Sequence, residues 1–169
     1  MRRTALIAGL GLLTTCVAWA APPTLVGKVV PPYPDGLKSN TGSCVGSDTD
    51  PKDVCARSIA TLDDARDRTV QLLAAEFVDR VGDEPRWRIT DAVAYPPLRA
   101  DELVAIATCQ RAGVDDVGVV AIIDLGTEGS SGLEMLPAVR WAVRLDRATG
   151  KFLRVPPSQV RCYNEGLSE

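Results

Sequence analysis

Hydrophobic residues recur every three or four positions between Thr61 and Gly82, in TLDDARDRTVQLLAAEFVDRVG. This spacing is typical of one face of an α-helix. The residues that follow it are Val70, Leu73, Phe77 and Val81. Thr61 with Asp64 three residues later resembles an N-terminal capping box, and Gly82 is typical of a helix stop. The pattern predicts one main helix over residues 61–81.

After Gly82 the spacing changes to every second residue, the period of a β-strand. The stretch WRITDAVAY, residues 87–95, alternates with Asp91 as an exception. The stretch ELVAIATCQ, residues 102–110, has residues that favour helix. We nevertheless favour a strand there, because the turn-like RAGVDD and the β-branched run VGVVAIIDL follow it and together resemble a hairpin.

A last hairpin is predicted near the C-terminus. In AVRWAVRLD, residues 138–146, apolar residues alternate with Arg140 and Arg144. Residues 146–150 then form a turn in which Gly150 supplies a positive φ, and KFLRV pairs back. The predicted fold class is therefore α+β: one main helix packed on an antiparallel β-meander of about four to five strands.

Three regions are predicted along the chain. Residues 1–20 form a signal peptide, residues 21–55 form a loop-rich N-terminal segment, and residues 56–169 form the α+β domain. The N-terminal segment is rich in proline, glycine, serine and aspartate, which favour turns over regular structure.

The signal peptide is predicted from its three parts. Arg2 and Arg3 precede an apolar run, and the tripeptide AWA at residues 18–20 offers small residues to a signal peptidase. We expect cleavage near Ala20 and a periplasmic or secreted protein. No membrane span is expected, because the apolar run is shorter than the roughly 20 residues that a span needs. Lipidation at Cys16 is the alternative, although the threonine before it fits a lipobox poorly.

The remaining cysteines are even in number, which in an exported chain predicts disulfides. They are Cys44, Cys55, Cys109 and Cys162. Sequence permits three pairings. We favour Cys44–Cys55, which closes a short loop, and Cys109–Cys162, which would hold the C-terminal tail next to the strand containing Ile106. A structural role is expected, because no C-x-x-C motif is present.

Charge and composition exclude several functions. The net charge is −3 and becomes more negative when the leader arginines are removed, which disfavours nucleic acid and anionic membranes as partners. The chain has no histidine, so Ser-His-Asp and Cys-His catalysis and the usual transition-metal sites are excluded. We therefore expect no enzyme activity, no catalytic residues, no cofactor and no metal.

Two loops are candidate ligand-binding or partner-binding sites. The acidic loop SDTDPKD contains Asp48, Asp50 and Asp53. It lacks the glycine and the distal glutamate of an EF-hand, so turn and capping roles are favoured. The loop GTEGSSG lacks the lysine of a phosphate-binding loop and is expected to connect strands. If the protein binds a partner, this loop supplies the contacts Glu128, Ser130 and Ser131.

The ending AVRWAVRLDRATGKFLRV, residues 138–155, is similar to the last hairpin of PepSY-type domains, where an alternating strand meets a D-x-x-T-G-K turn. The resemblance implies a non-catalytic binding or inhibitory module and assigns no functional residue. The chain differs from that family in its long segment between helix and hairpin and in its cysteines.

Two function classes follow. The first is an exported binding module of the cell envelope, an inhibitor or immunity-type protein whose partner is an envelope protein. The alternative is a carboxylate-dependent hydrolase. A concave pocket with two facing acids would favour the hydrolase, whereas an exposed apolar patch with a protruding loop would favour the binding module.

Overall fold

The computed structural model describes residues 24–46, 54–126 and 132–165. Several predicted features lie outside these ranges: the signal peptide with Cys16 and the cleavage site near Ala20, the acids Asp48, Asp50 and Asp53, and the partner-loop residues Glu128, Ser130 and Ser131.

The described residues form β-strands and no α-helix. In chain order the strands are β1 (Val29–Val30), β2 (Leu37–Lys38), β3 (Gly42–Val45), β4 (Arg57–Asp64), β5 (Thr69–Val81), β6 (Glu84–Ala94), β7 (Glu102–Ile106), β8 (Cys109–Arg111), β9 (Val114–Asp115), β10 (Val119–Asp124), β11 (Met135–Leu136), β12 (Val139–Asp146), β13 (Lys151–Arg154) and β14 (Val160–Tyr163). A short 3-10 turn, Pro157–Gln159, precedes β14.

The strands form three antiparallel sheets. Sheet A has the order β1-β6-β5-β4-β2, with β3 also paired to β4. Sheet B has the order β13-β12-β10-β7, and sheet C the order β11-β14-β8-β9. One apolar cluster lies between sheets A and B, and a second lies between sheets B and C. A third joins the outer face of sheet A to the N-terminal segment through Leu25 and Val30.

The predicted α+β class is wrong, because residues 61–81 form the end of β4, a turn and β5 instead of a helix. The reason is that β5 is buried on both faces. Leu72 and Ala74 pack toward sheet B, whereas Leu73 and Ala75 pack toward the N-terminal segment. Such a strand has a continuous apolar run, whose spacing does not distinguish it from a helix.

Two of the predicted helix-capping residues, Asp64 and Gly82, form turns between strands. The carboxylate of Asp64 accepts hydrogen bonds from the backbone nitrogens of Arg66, at 2.8 Å, and Arg68, at 3.1 Å, and so closes the turn between β4 and β5. Gly82 has φ +62° and begins the tight turn between β5 and β6. A glycine with positive φ is the residue that such a hairpin turn requires.

The other predicted strands are confirmed. The stretches at residues 87–95, 102–110 and 138–146 contain β6, β7 with β8, and β12, and the run VGVVAIIDL contains β10. The return hairpin is also present, since β13 pairs with β12 and Gly150 has φ +68°. The sheet content exceeds the expected four to five strands because the predicted helix and the loop-rich segment also contribute strands.

Asp91 interrupts the alternation of β6 because the strand has a β-bulge at Thr90. Ile89 and Asp91 pair with consecutive residues of β5, which leaves Thr90 as the extra residue. The bulge turns Asp91 toward sheet B, where its carboxylate accepts a hydrogen bond of 2.8 Å from the backbone nitrogen of Phe152.

The turn between β12 and β13 is a junction of sheets A and B. Arg57 Nε of β4 donates to the carbonyl oxygen of Arg147 at 2.6 Å. Thr90 Oγ1 donates to the carbonyl oxygen of Gly150 at 2.7 Å, and Lys151 Nζ donates to that of Thr90 at 2.6 Å. The turn DRATGK therefore has a structural role in holding the two sheets together.

A buried ion pair joins β7 to β12 within sheet B. Arg140 donates two hydrogen bonds to the carboxylate of Glu102, one of them from Nη2 at 2.8 Å. The backbone nitrogen of Arg99 donates a third at 2.9 Å. These contacts, with Arg140 the larger cause, lower the pKa of Glu102 from 4.5 to about 2.

The stability of the protein is expected to fall as the pH decreases from 4.5 toward about 2. A carboxyl group with a lowered pKa in the folded state stabilises the fold above its unfolded pKa, and this stabilisation is lost as the group protonates. Glu102→Gln should lower the urea midpoint at pH 7 and flatten the midpoint's decrease across this interval. Urea unfolding at several pH values measures both effects, with the exposed Glu134→Gln as control. Parallel profiles for wild type and Glu102→Gln would contradict the expectation.

Candidate functional site

The distal part of the β5–β6 hairpin extends past its neighbouring strands. The pairing of β4 with β5 ends at Glu76, and that of β1 with β6 ends at Trp87. Beyond these positions the described residues supply no further strand beside the hairpin. Residues 78–86 therefore protrude from sheet A. Phe77, whose backbone nitrogen donates to the carbonyl oxygen of Ala56, and Trp87, which lies opposite Val30, stand at their base. The segment from Phe77 to Trp87 is here called the distal hairpin.

The two faces of the distal hairpin differ in chemistry. On one face, Arg86 and Arg88 of β6 form cross-strand ion pairs with Asp79, at 2.5 Å, and Glu76, at 2.8 Å. On the opposite face, an aromatic pair is formed by Phe77 and Trp87, which lie opposite each other in the register and make an edge-to-face contact with ring centroids 5.6 Å apart. The ion pairs keep one face polar, and the other presents an aromatic surface.

A cavity of about 550 Å³ lies at this aromatic face and is here called the hairpin cleft. Its apolar lining consists of Val54, Ala56, Phe77, Pro85 and Trp87. The Cys44–Cys55 disulfide and Arg80 also line it. Val54 and Phe77 are 55% and 40% exposed, so the cleft brings a solvent-accessible apolar surface together with the guanidinium of Arg80.

A smaller cavity of about 260 Å³, the inner cavity, shares Cys44 and Trp87 with the hairpin cleft. Val30 and Tyr33 of the N-terminal segment form one side of it, and several serine hydroxyls also line it. Burial raises the pKa of Tyr33, and a hydrogen bond with Ser39 partly offsets this effect. Tyr33 is therefore a neutral hydrogen-bonding group at physiological pH.

Both disulfides are present with the favoured pairing. Cys44 is bonded to Cys55 with their Cα atoms 4.8 Å apart, and Cys109 to Cys162 with a Cα separation of 3.9 Å. Disulfides indicate an oxidising, extracellular compartment.

The C-terminal tail is docked beside the stretch predicted as one strand containing Ile106, residues 102–110. The structure divides this stretch into β7 and β8. The tail strand β14 pairs with β8, with Cys162 opposite Cys109.

The sequence pattern does not indicate the hairpin cleft as a site. The helical spacing predicts Phe77 on the core face of a helix, and the period-two alternation predicts Trp87 on one face of a strand. One available signal was the order of residues in RWR, where Arg86 and Arg88 alternate with Trp87. An aromatic residue between two charged ones in a strand points to the face opposite theirs.

The acids of the described residues are not gathered at a cavity. Neither the hairpin cleft nor the inner cavity has an acidic side chain among the described residues that line it. The buried Asp63 accepts hydrogen bonds from Thr61 Oγ1, at 3.1 Å, and Thr69 Oγ1, at 2.7 Å, so its carboxylate is engaged within sheet A.

The described part of the chain contains no group of three or more histidine, cysteine, aspartate or glutamate side chains placed to hold a metal ion. Within the same residues, no helix has the length and apolar character needed to span a membrane.

Comparison of the chain with protein-family models, curated proteins and solved structures finds no match. The geometry and chemistry of the hairpin cleft are therefore the basis of the proposed function.

Proposed function

We propose that the protein is a non-catalytic binding module of the cell envelope and that it binds its partner through the hairpin cleft. The aromatic pair Phe77 and Trp87, accessible at a cavity on a protruding hairpin, is the observation that supports this proposal. Exposed apolar surface of this kind is typical of binding sites, because leaving it in water is unfavourable.

The carboxylate-dependent hydrolase stays the alternative. It requires two acids that face one cavity, and the described lining of the two cavities supplies none. The two buried acids, Asp63 and Glu102, are held in hydrogen bonds that stabilise the sheets. These contacts favour the binding module over the hydrolase.

We place the protein in the periplasm or outside the cell, with its leader cleaved near Ala20. The two disulfides support an oxidising compartment, and the leader motif in residues 1–20 supports export. The sequence predicts an envelope protein as the partner, with this chain as its inhibitor or immunity-type protein, and the capture experiment distinguishes a protein partner from a small-molecule ligand.

Capture from an envelope extract tests the proposal. The full chain is expressed with its leader, and N-terminal sequencing of the exported form should give Ala21 or Pro22 as the first residue. The purified protein is then immobilised, and the proteins and small molecules that it retains are identified by mass spectrometry. Wild type should retain a component that Phe77→Ser retains about thirtyfold less well, the loss expected for an anchor residue of a binding site.

Val114→Ser is the matched control, because Val114 is 69% exposed and lies in β9 at the end of a different hairpin. It should behave like wild type. Equal retention by wild type and Phe77→Ser would contradict binding through the hairpin cleft, and an intact Met1 on the purified protein would contradict export.

A further inference from the structure

We propose that the ligand of the hairpin cleft is a small anionic amphiphile, with its carboxylate or similar anionic group at Arg80 and its apolar chain against Phe77 and Trp87. This inference rests on the proposed function and names the chemical class of the ligand.

The shape of the site favours a small molecule. The cleft has a volume of about 550 Å³, within the range of roughly 300–1,000 Å³ that is usual for small-molecule sites. Its walls come from the Cys44–Cys55 disulfide, from Val54 and Ala56 on either side of Cys55, and from both strands of the distal hairpin. An apolar chain that enters this space loses its contact with water on several sides, which a flat protein surface would not achieve.

The charges of the distal hairpin favour an anion. Arg86 and Arg88 are neutralised by their ion pairs on the opposite face. Arg80 lines the cleft and donates one hydrogen bond, from Nη1 to the carbonyl oxygen of Asp83 at 2.8 Å. It forms no ion pair with the acids of the described residues.

A guanidinium carries five N–H donors in a planar fork that matches a carboxylate. After its bond to Asp83, Arg80 has donors left for a ligand anion. Since no acidic side chain is among the described residues of the lining, none of them competes for Arg80 or repels the anion. An apolar lining that has Arg80 as the one cation among its described residues is complementary to a molecule with one anionic group and an apolar tail.

Calorimetric titration of the exported protein with monomeric alkyl carboxylates tests the inference. From hexanoate to decanoate the affinity should rise about fourfold for each added methylene group until the cleft is filled. Phe77→Ser should weaken both decanoate and neutral 1-decanol. Arg80→Gln should weaken decanoate about tenfold and leave 1-decanol unchanged.

The matched control is Arg154→Gln, because Arg154 is an exposed arginine of β13 in sheet B and its replacement changes the net charge equally. It should leave both affinities unchanged. Equal binding of decanoate by wild type and Arg80→Gln, binding that is insensitive to Phe77→Ser, or no binding of decanoate would each overturn the inference.

Failure of this inference is distinguishable from failure of the proposed function. If decanoate does not bind but an extract component is retained in a Phe77-dependent manner, the proposed class of ligand is wrong and the proposal of a binding module is supported. A protein identified as that component would assign the hairpin cleft to a protein partner.

Discussion

Replacing Gly150 with alanine is expected to lower the free energy of unfolding by about 3 kcal/mol. Gly150 has φ +68°, a conformation that costs an alanine roughly 1–2 kcal/mol. The added Cβ would also contact Arg57 Nη1 and lie 2.8 Å from Thr90 Oγ1, closer than real Cβ atoms approach. Both effects act on the turn that joins sheets A and B.

The neighbours of Gly150 cannot move away without losing contacts. Arg57 is held by its hydrogen bond to the carbonyl oxygen of Arg147. Thr90 is the bulge residue of β6 and donates to the carbonyl oxygen of Gly150 itself, and its branched side chain has few alternative rotamers. A methyl group at Gly150 therefore disturbs the hydrogen bonds that connect the two sheets.

Gly82→Ala is the matched control for Gly150→Ala. Gly82 has φ +62°, and an added Cβ there meets no atom within 4 Å. This control should cost only the backbone strain, roughly 1–2 kcal/mol. Urea unfolding of wild type and both variants measures the difference. If Gly150→Ala lowers the free energy of unfolding no more than Gly82→Ala does, the turn between β12 and β13 is not a tight junction of sheets A and B.

Two strands that are buried on both faces show why the fold was predicted only in part. The run VVAIID of β10 is almost fully buried, and its β-branched residues still predict a strand. The run LLAA in β5 is equally buried, but leucine and alanine favour helix. Where burial removes the alternation, residue composition decides the prediction, and for β5 it gives the wrong answer.

Strands that carry charged side chains on one face were predicted correctly, because their alternation of polar and apolar residues is preserved. In β12, Trp141, Val143 and Leu145 pack toward sheet A. On the other face, Arg140 and Arg144 flank the buried Ala142 and form ion pairs with Glu102 and Asp116. The same period-two pattern was visible in the sequence. Alternation is therefore a reliable signal where one face of the strand carries charged side chains.

The hairpin cleft could not be predicted because it depends on the register of β5 and β6. Phe77 and Trp87 become neighbours because the turn at Gly82 pairs Val81 with Glu84 and a β-bulge at Val78 then shifts the register by one residue. A helix over residues 61–81 separates the two aromatic residues. The wrong secondary structure therefore prevented the prediction of the site. The pairing of Cys44 with Cys55 could be predicted because the loop between them is short.

Replacing both Cys109 and Cys162 with alanine is expected to lower the free energy of unfolding by about 4 kcal/mol in the chain-entropy model. The bond joins residues 53 positions apart, so its loss gives the unfolded chain much additional freedom. Alanine is preferred to serine, because both positions are buried in the cluster between sheets B and C and serine would bury two hydroxyl groups there.

The loss of the Cys109–Cys162 bond should destabilise sheet C first, where β14 lies between β11 and β8. The strands of this sheet are short, with β14 pairing to β8 over three residues, Val160 to Cys162. Sheet A, by contrast, is built around the long β5–β6 pairing. Amide hydrogen exchange in the double variant should therefore accelerate in β14 and β11 and stay slow in β4, β5 and β6.

The matched control is the double replacement of Cys44 and Cys55 with alanine, which opens a bond between residues 11 positions apart. It should cost about 3 kcal/mol and accelerate exchange in β3 and the beginning of β4, while sheet C stays protected. If removing the Cys109–Cys162 bond accelerated exchange equally in all three sheets, the tail would be part of one cooperative unit with sheet A. The disulfide would then stabilise the whole fold instead of only joining β14 to β8 within sheet C.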